Sequence, residues 1–559
     1  MKKLPYGISD YERLKENDYY YVDKTMYIEK LENLAEPYII FLRPRKFGKT
    51  LFTSMLENYY DFKKIDKFQE LFGETYIGKE PTKLKNTYHI LKFNFLGIDT
   101  TDEESTIKGF KSEVASSIKL FIDKYGLDFY INMEDEAENI LDNLFKAFYI
   151  QRNEEKIYVI IDEYDHFANE LLGFNTSQFK SLVSKNGKVR KWYEILKKGT
   201  ESVVDRIFIT GVAPITLDSL TSGFNISSDK TQDERFNEMM GFTEKELKEL
   251  MKEQNVNEEQ QEETIPIMRE NYDGYKFSLH GKEKIYNSNM CLYFLNNYIG
   301  LGRMPEQLID MNIASDYTKL GKMLDLCQGE EREKIIEKTV SGEGIVSEIR
   351  QKFNPAMEFT DIDLISMLFY LGYLTITGEE FGKLELKIPN KVMREIYSEY
   401  FMEILKQKTE LEVTQSDYTE IAKEIAIEGK IDKIMEKVQE YLTNLSNRDY
   451  QKFDEKYVKL IFFCIAMNLK IFRLKSEMEI QRKYPDILLM PKDSNRGYKG
   501  VMIEFKYLKK GEEGRLKEKQ EEAKKQIEEY REFDEIRDLK DIICYTVVAV
   551  NDKIYVEKI

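Results

Sequence analysis

A Pro-Asp pair, Pro485-Asp486, opens the apolar run Ile487-Leu488-Leu489-Met490, and Glu504-Phe505-Lys506 closes a second run, Val501-Met502-Ile503. Both have the length and composition of short buried strands, and Gly497, Gly500 and Gly511 bound the second. Residues two apart on a strand face the same side, so Glu504 and Lys506 project together. If the two strands pair, Asp486 joins them at one end of the sheet. Charges inside an apolar strand are costly unless they have a task. Two carboxylates are hard oxygen ligands suited to Mg²⁺, an ion that polarises a phosphoryl oxygen and activates water. A lysine beside the metal orients that water or stabilises the charge developing on phosphorus. The residue types imply metal-dependent phosphodiester hydrolysis, with Asp486 and Glu504 on the metal and Lys506 beside them. A helix over Leu516–Phe533 and a buried strand over Ile542–Val550 are expected to complete the layer that positions them.

A second phosphate chemistry is written near the other end. Pro37–Leu42 reads as a strand, Arg43-Pro44-Arg45-Lys46-Phe47-Gly48-Lys49-Thr50 as a loop, and Leu51–Leu56 as a helix. Strand, loop and helix opening on Gly-Lys-Thr is the setting of a P-loop. Gly48 lets the backbone approach phosphate, Lys49 reaches the β and γ phosphates, and Thr50 ligates Mg²⁺. Arg45, Lys46, Phe47 and Leu51 complete the expected nucleotide-binding loop, and Arg43 stands where the pattern expects its first glycine. Lys156–Ile161 is a buried strand running into Asp162-Glu163-Tyr164-Asp165. There Asp162 is expected to hold Mg²⁺ and Glu163 to polarise the attacking water. Thr210, polar at the end of the apolar run Arg206–Val212, is placed either as a γ-phosphate sensor or as a plain strand-end hydroxyl. Strands at 88–95 and 206–212, alternating with helical stretches, predict a parallel α/β sheet.

Composition narrows the setting. At 559 residues the chain exceeds one core and predicts about three domains by the usual size prior. A net charge of −17 argues against sequence-independent coating of nucleic acid, so any such contact needs a local basic surface. The stretch from Lys506 through Lys509, Lys510, Arg515, Lys517 and Lys519 is one candidate, and a solvated helix face is its other reading. Cys291, Cys327, Cys464 and Cys544 are scattered without paired ligand spacing, which fits reduced thiols in the cytoplasm. With His89, His166 and His280 as the only histidines, a histidine-based metal site is disfavoured. No run approaches a membrane span.

The front motifs, together with Leu4–Ile8, Tyr20–Thr25, Ile209–Val212, Met240–Thr243 and Tyr272–Phe277, make the chain similar to the AAA-ATPase-like family of bacterial and archaeal proteins. In that family arginine also replaces the first loop glycine. The C-terminus resembles the PD-(D/E)xK nuclease superfamily, departing from it at Lys483-Tyr484-Pro485, where related chains often show Gly-Arg-x. The resemblance implies an ATPase using ATP and Mg²⁺, fused to a nuclease-like domain acting on nucleic acid, DNA first, in mobile elements or defence. It also implies an additional upstream acid at the nuclease site. Glu477 is the better candidate, Glu479 shares its face if the segment is extended, and an exposed acidic pair is the other reading. The expected architecture is α/β: a P-loop NTPase with an ASCE-type parallel sheet over 1–240, a mainly helical region over 241–445, and a nuclease-like α/β domain over 446–559. In the middle region a helix capped at Thr360 or Asp361 and a hairpin around Gly378 and Gly382 suggest a small β-wing as in a winged-helix-like module, the other and favoured reading being a structural lid and linker on the ATPase. Homo-oligomerisation on ATP binding is an expectation, with Arg206 and Arg235 as candidate arginine fingers. The rival function is a nucleotide switch whose nuclease-like domain grips nucleic acid or partners without cleaving.

Overall fold

Runs rich in Ile, Val and Phe become strands of a parallel sheet, with helices connecting the first four in sequence. The computed structural model describes residues 2–152, 154–166, 187–214, 224–310, 330–352, 359–445, 454–476, 485–493, 496–532, 534–537, 539 and 542–559. In the front sheet β1 is Tyr38–Leu42, β2 His89–Asn94, β3 Ile157–Asp162, β4 Val204–Gly211 and β5 Ser228–Asp229, in the order β2-β3-β4-β1-β5. Every pairing is parallel. All six residues of β3 are buried, as a strand covered on both faces requires. Between the strands lie α1 (Lys49–Tyr60), α2 (Glu103–Tyr125), α3 (Ala137–Arg152) and α4 (Lys188–Gly199). One strand, β4, separates β1 from β3, so the loops leaving those two strands open at the same sheet edge on either side of it.

The chain divides into two compact units, residues 1–332 with 346–392, and residues 333–345 with 393–559. Packing therefore shares the expected middle region between them. In the first unit α5 (Glu244–Glu253) starts at a capping box between Thr243 and Glu246, and α6 (Asp361–Tyr370) at one between Thr360 and Asp363. Beyond α6, Gly372 adopts a φ of 84°, and β6 (Thr375–Glu380) pairs antiparallel with β7 (Lys383–Lys387) as the wing-like hairpin.

The second unit carries α7 (Glu455–Met467), β8 (Phe472–Lys475), β9 (Ile487–Pro491), β10 (Gly500–Leu508), α8 (Leu516–Arg531), β11 (Ile542–Val550) and β12 (Lys553–Lys558). Its sheet runs β12-β11-β10-β9-β8. Strand β10 is antiparallel to β9 and parallel to β11. Ile527 and Tyr530 of α8 pack on Leu488, Met502 and Cys544, while Phe462 of α7 meets Phe505 at 5.4 Å between ring centres. The sheet is thereby covered, and buried charges on β10 become possible only with partners. Glu477, Glu479, Cys327 and most of the expected joint after Leu445 lie outside the described residues.

Candidate active sites

The front site begins with the backbone. Gly48 has a φ of 92° with open space where a Cβ would stand, and α1 starts at Lys49, so the loop presents amide groups and a helix N-terminus together. A cavity of about 460 Å³ lies against them. Arg45, Lys46, Phe47, Gly48, Lys49, Thr50, Leu51 and Glu163 all contribute to its wall. Residues such as Ile8, Tyr20, Met240 and Leu292 add apolar surface to the same wall. A cavity of this size, lined by cationic and apolar side chains together, can take a ligand as large as a nucleotide.

Lys49 Nζ lies 3.9 Å from Glu163 Oε1 and donates to the Pro44 carbonyl at 3.2 Å. Asp162 is fully buried behind the wall; the Thr53 hydroxyl reaches its Oδ2 at 3.4 Å, and the Thr50 side chain also hydrogen-bonds it. Burial first, and the neighbouring Glu163 charge second, push the Asp162 carboxyl above its ordinary range. A divalent cation beside Thr50 would relieve both effects. Glu163 has a φ of 50°, a left-handed conformation costly for a residue with a side chain, and this strain sits on the cavity wall. Thr210 is buried, and its hydroxyl donates to the Phe41 carbonyl at 2.8 Å. Neither Asp162 nor Thr210 is on the cavity wall. His166 is on it, 3.5 Å from Arg45, although no motif marks it. Arg206 sits in register with Tyr158 near the start of β4, away from the loop end, and exposed Arg235 is held by Asp233 at 2.6 Å.

At the C-terminal site Asp486 stands one step beyond the paired residues Ile487 and Ile503, and this brings it to Glu504. The Asp486 amide lies 3.4 Å from Glu504 Oε2, and Asp486 Oδ2 accepts the Phe505 N–H at 2.7 Å. Lys506 Nζ donates to Glu504 Oε1 at 3.1 Å. All three side chains are buried. Burial, then the Asp486 charge, raises the Glu504 carboxyl well above the carboxylate range despite Lys506. Crowded carboxylates of this kind fit a divalent cation, which favours their ionised form. Thr546, in register with Glu504 on β11, adds a buried hydroxyl oxygen without a hydrogen-bond partner. Among the described residues no group of three or more His, Cys, Asp or Glu side chains converges, so backbone or water oxygens would complete the coordination.

Residues 5–221 match the family model described as predicted AAA-ATPase, and residues 453–558 match that of the PD-(D/E)XK nuclease superfamily. The chain joins a predicted AAA-ATPase domain to a PD-(D/E)XK nuclease superfamily domain. It is 25% identical over 391 residues to a protein of Azotobacter chroococcum mcd 1 described as an uncharacterized protein in the vnfD 5′ region. That match covers 67% of the chain and 64% of the relative, so the chain spans less than two thirds of that protein. Among solved structures, the Aeropyrum pernix ORC2 protein in its ADPNP-ADP complexes aligns with 72% of this chain and 96% of its own, at 13% identity and a TM-score of 0.32.

Within the AAA-ATPase domain the structure shows what Arg43 does. Its guanidinium is buried between the Phe41 and Phe277 rings, 4.1 Å from each centre, and donates to the carbonyls of Leu42, Thr231 and Phe236 at 2.8–3.0 Å. Burial lowers it to about 9, with Asp229 opposing. Asp165 likewise braces the site from behind, accepting the Val212 and Ala213 N–H groups at 3.0 and 2.7 Å. A Cβ on Gly211 would meet Asp165 Oδ1 at 2.1 Å and the Tyr164 ring at 2.5 Å. Gly211→Ala is therefore expected to destabilise the domain by roughly 2–3 kcal/mol through overpacking, read as a lower thermal midpoint.

In the nuclease superfamily domain the residue that the sequence did not mark is Lys459, whose Nζ lies 2.5 Å from Asp486 Oδ1 and 2.8 Å from Glu455 Oε1. Burial alone would lower its ammonium, but the two carboxylates outweigh burial and raise it. The basic stretch after Lys506 is partly self-neutralised: Arg515 pairs with Glu518 at 2.9 Å and Lys519 with Glu522 at 2.5 Å.

Proposed function

We propose that this protein binds and hydrolyses ATP·Mg²⁺ in its front domain and cleaves nucleic acid phosphodiesters, DNA foremost, with a divalent cation in its C-terminal domain. The observation that carries the cleavage reading is the convergence of Asp486, Glu504 and Lys506 in one buried corner between β9 and β10. Asp486 and Glu504 would hold the metal, which supplies Lewis acidity and an activated water when bound. Lys506 holds Glu504 in place and presents a positive charge at the same corner. At the front, Lys49 and the amides around Gly48 neutralise phosphate, Thr50 and Asp162 would hold Mg²⁺, and Glu163 orients water. Glu477 is retained as a candidate fourth member of the nuclease site by resemblance. A cytoplasmic setting, ATP-dependent homo-oligomerisation and a role in mobile elements or defence belong to the same proposal. No helix among the described residues is long and apolar enough to cross a membrane.

The test is cleavage of single- and double-stranded DNA and RNA by the full chain with Mg²⁺ or Mn²⁺, with and without ATP, beside Lys506→Ala. Cleavage by the unmodified protein and its loss in Lys506→Ala are expected; equal cleavage by both rejects the site. In Lys49→Ala, ATP turnover is expected to fall by about a hundredfold or more, measured as phosphate release. Persistent turnover would remove the front assignment. One observation favours the switch reading, in which the C-terminal domain grips without cleaving: each carboxylate of its site already has an ammonium partner. ATP-dependent assembly without cleavage of any substrate would establish that alternative.

A further inference from the structure

The two carboxylates of the nuclease superfamily site are served by separate lysines. Lys506 on β10 takes Glu504 at 3.1 Å, and Lys459, arriving from α7, takes Asp486 at 2.5 Å. Asp486 has its Oδ2 fixed by the Phe505 N–H at 2.7 Å, so Oδ1, the oxygen facing Lys459, is the one left for a metal. The Lys459 side chain is 14% exposed and that of Asp486 2% exposed, so water screens this pair weakly. On the other side of Lys459 stands Glu455, one helical turn earlier and 36% exposed, at 2.8 Å. An ammonium that leaves Asp486 therefore keeps a carboxylate partner without moving its backbone. A single position of the ammonium thus bridges both carboxylates.

We propose that Lys459 is a positioning residue of the nuclease site, an internal cation that bridges Asp486 and Glu455 and gives up Asp486, keeping Glu455, when a divalent metal takes Oδ1. This rests on the metal reading of Asp486 and Glu504. The ammonium keeps the empty carboxylate pair from repelling itself apart, and it sets a threshold the metal must overcome. Removing its charge while keeping its bulk should then tighten metal binding, whereas losing a merely structural ion pair would loosen the site or leave it unchanged.

The experiment is calorimetric titration of the full chain with Mn²⁺, without nucleotide or nucleic acid, the site's share being the binding lost in Asp486→Asn. Lys459→Met, and Lys459→Gln as a second neutral variant, are expected to bind Mn²⁺ about tenfold more tightly than the unmodified protein. Lys459→Arg, which keeps the charge, should stay within about twofold of it. Unchanged or weaker affinity in both neutral variants overturns the role of Lys459 while leaving the metal site standing. An unmodified protein that shows no Mn²⁺ binding dependent on Asp486 overturns both.

Discussion

Asp486→Asn is expected to lower phosphodiester cleavage by a factor on the order of 10³ while the domain stays folded. The substitution removes one of the two charges that make the corner a cation site and leaves most of its scaffold. Asparagine keeps an oxygen for the Phe505 N–H, the 2.7 Å bond that joins the end of β9 to β10. Lys459 loses Asp486 but retains Glu455 at 2.8 Å, so no buried ammonium is stranded. Glu504 gains, because the second-largest influence raising its carboxyl is the Asp486 charge, and without it Glu504 ionises more readily. These changes offset one another, and a stability change within about 1–2 kcal/mol is expected. Single-turnover cleavage together with thermal unfolding of the same preparation separates the outcomes. Lost cleavage with an unchanged midpoint supports the assignment, and cleavage retained at the unmodified rate removes Asp486 from the chemistry.

What could be read from the chain alone follows from how far apart the cooperating residues lie. Glu504 and Lys506 are two apart on a strand, and Asp486 opens the strand beside it, so alternation and a short hairpin-like connection sufficed. The Gly48-Lys49-Thr50 loop was legible for the same reason, since Gly48 needs its φ of 92° whatever packs around it. Lys459 was hidden because Glu455 and Lys459, four apart on a helix, look like any surface ion pair; its meeting with Asp486 exists only after α7 docks on the sheet. The partner of the Thr210 hydroxyl depends on strand order, which spacing does not give. The register partner of Thr210 on β1 is Phe41, whose carbonyl takes the hydroxyl. Asp165 was visible as an acid, but its task of tying the β3 loop to Val212 and Ala213 depends on β4 lying beside β3.

Arg43→Gly, which restores the residue a generic P-loop carries, is expected to destabilise the front domain by roughly 4–5 kcal/mol and to abolish ATP binding. Spacing alone presents Arg43 as a lost glycine; the structure presents a side chain that took over another duty. Its guanidinium donates to carbonyls on Leu42, Thr231 and Phe236, the latter two 188 and 193 residues away in sequence. It thereby ties the loop to the segment following β5. Glycine would leave those carbonyls without their donor, open a void between Phe41 and Phe277, and loosen the backbone next to Pro44. Such a loss is a large fraction of the stability of an ordinary domain. Arg43→Lys should fall between the two, since an ammonium supplies charge and donors but not a plane that stacks between rings. Thermal unfolding and binding of a non-hydrolysable ATP analogue to the three proteins would check this order. If Arg43→Gly kept the unmodified midpoint and affinity, the carbonyl clamp would be dispensable. If it kept the midpoint but lost binding, Arg43 would act on phosphate, which its burial behind the loop argues against.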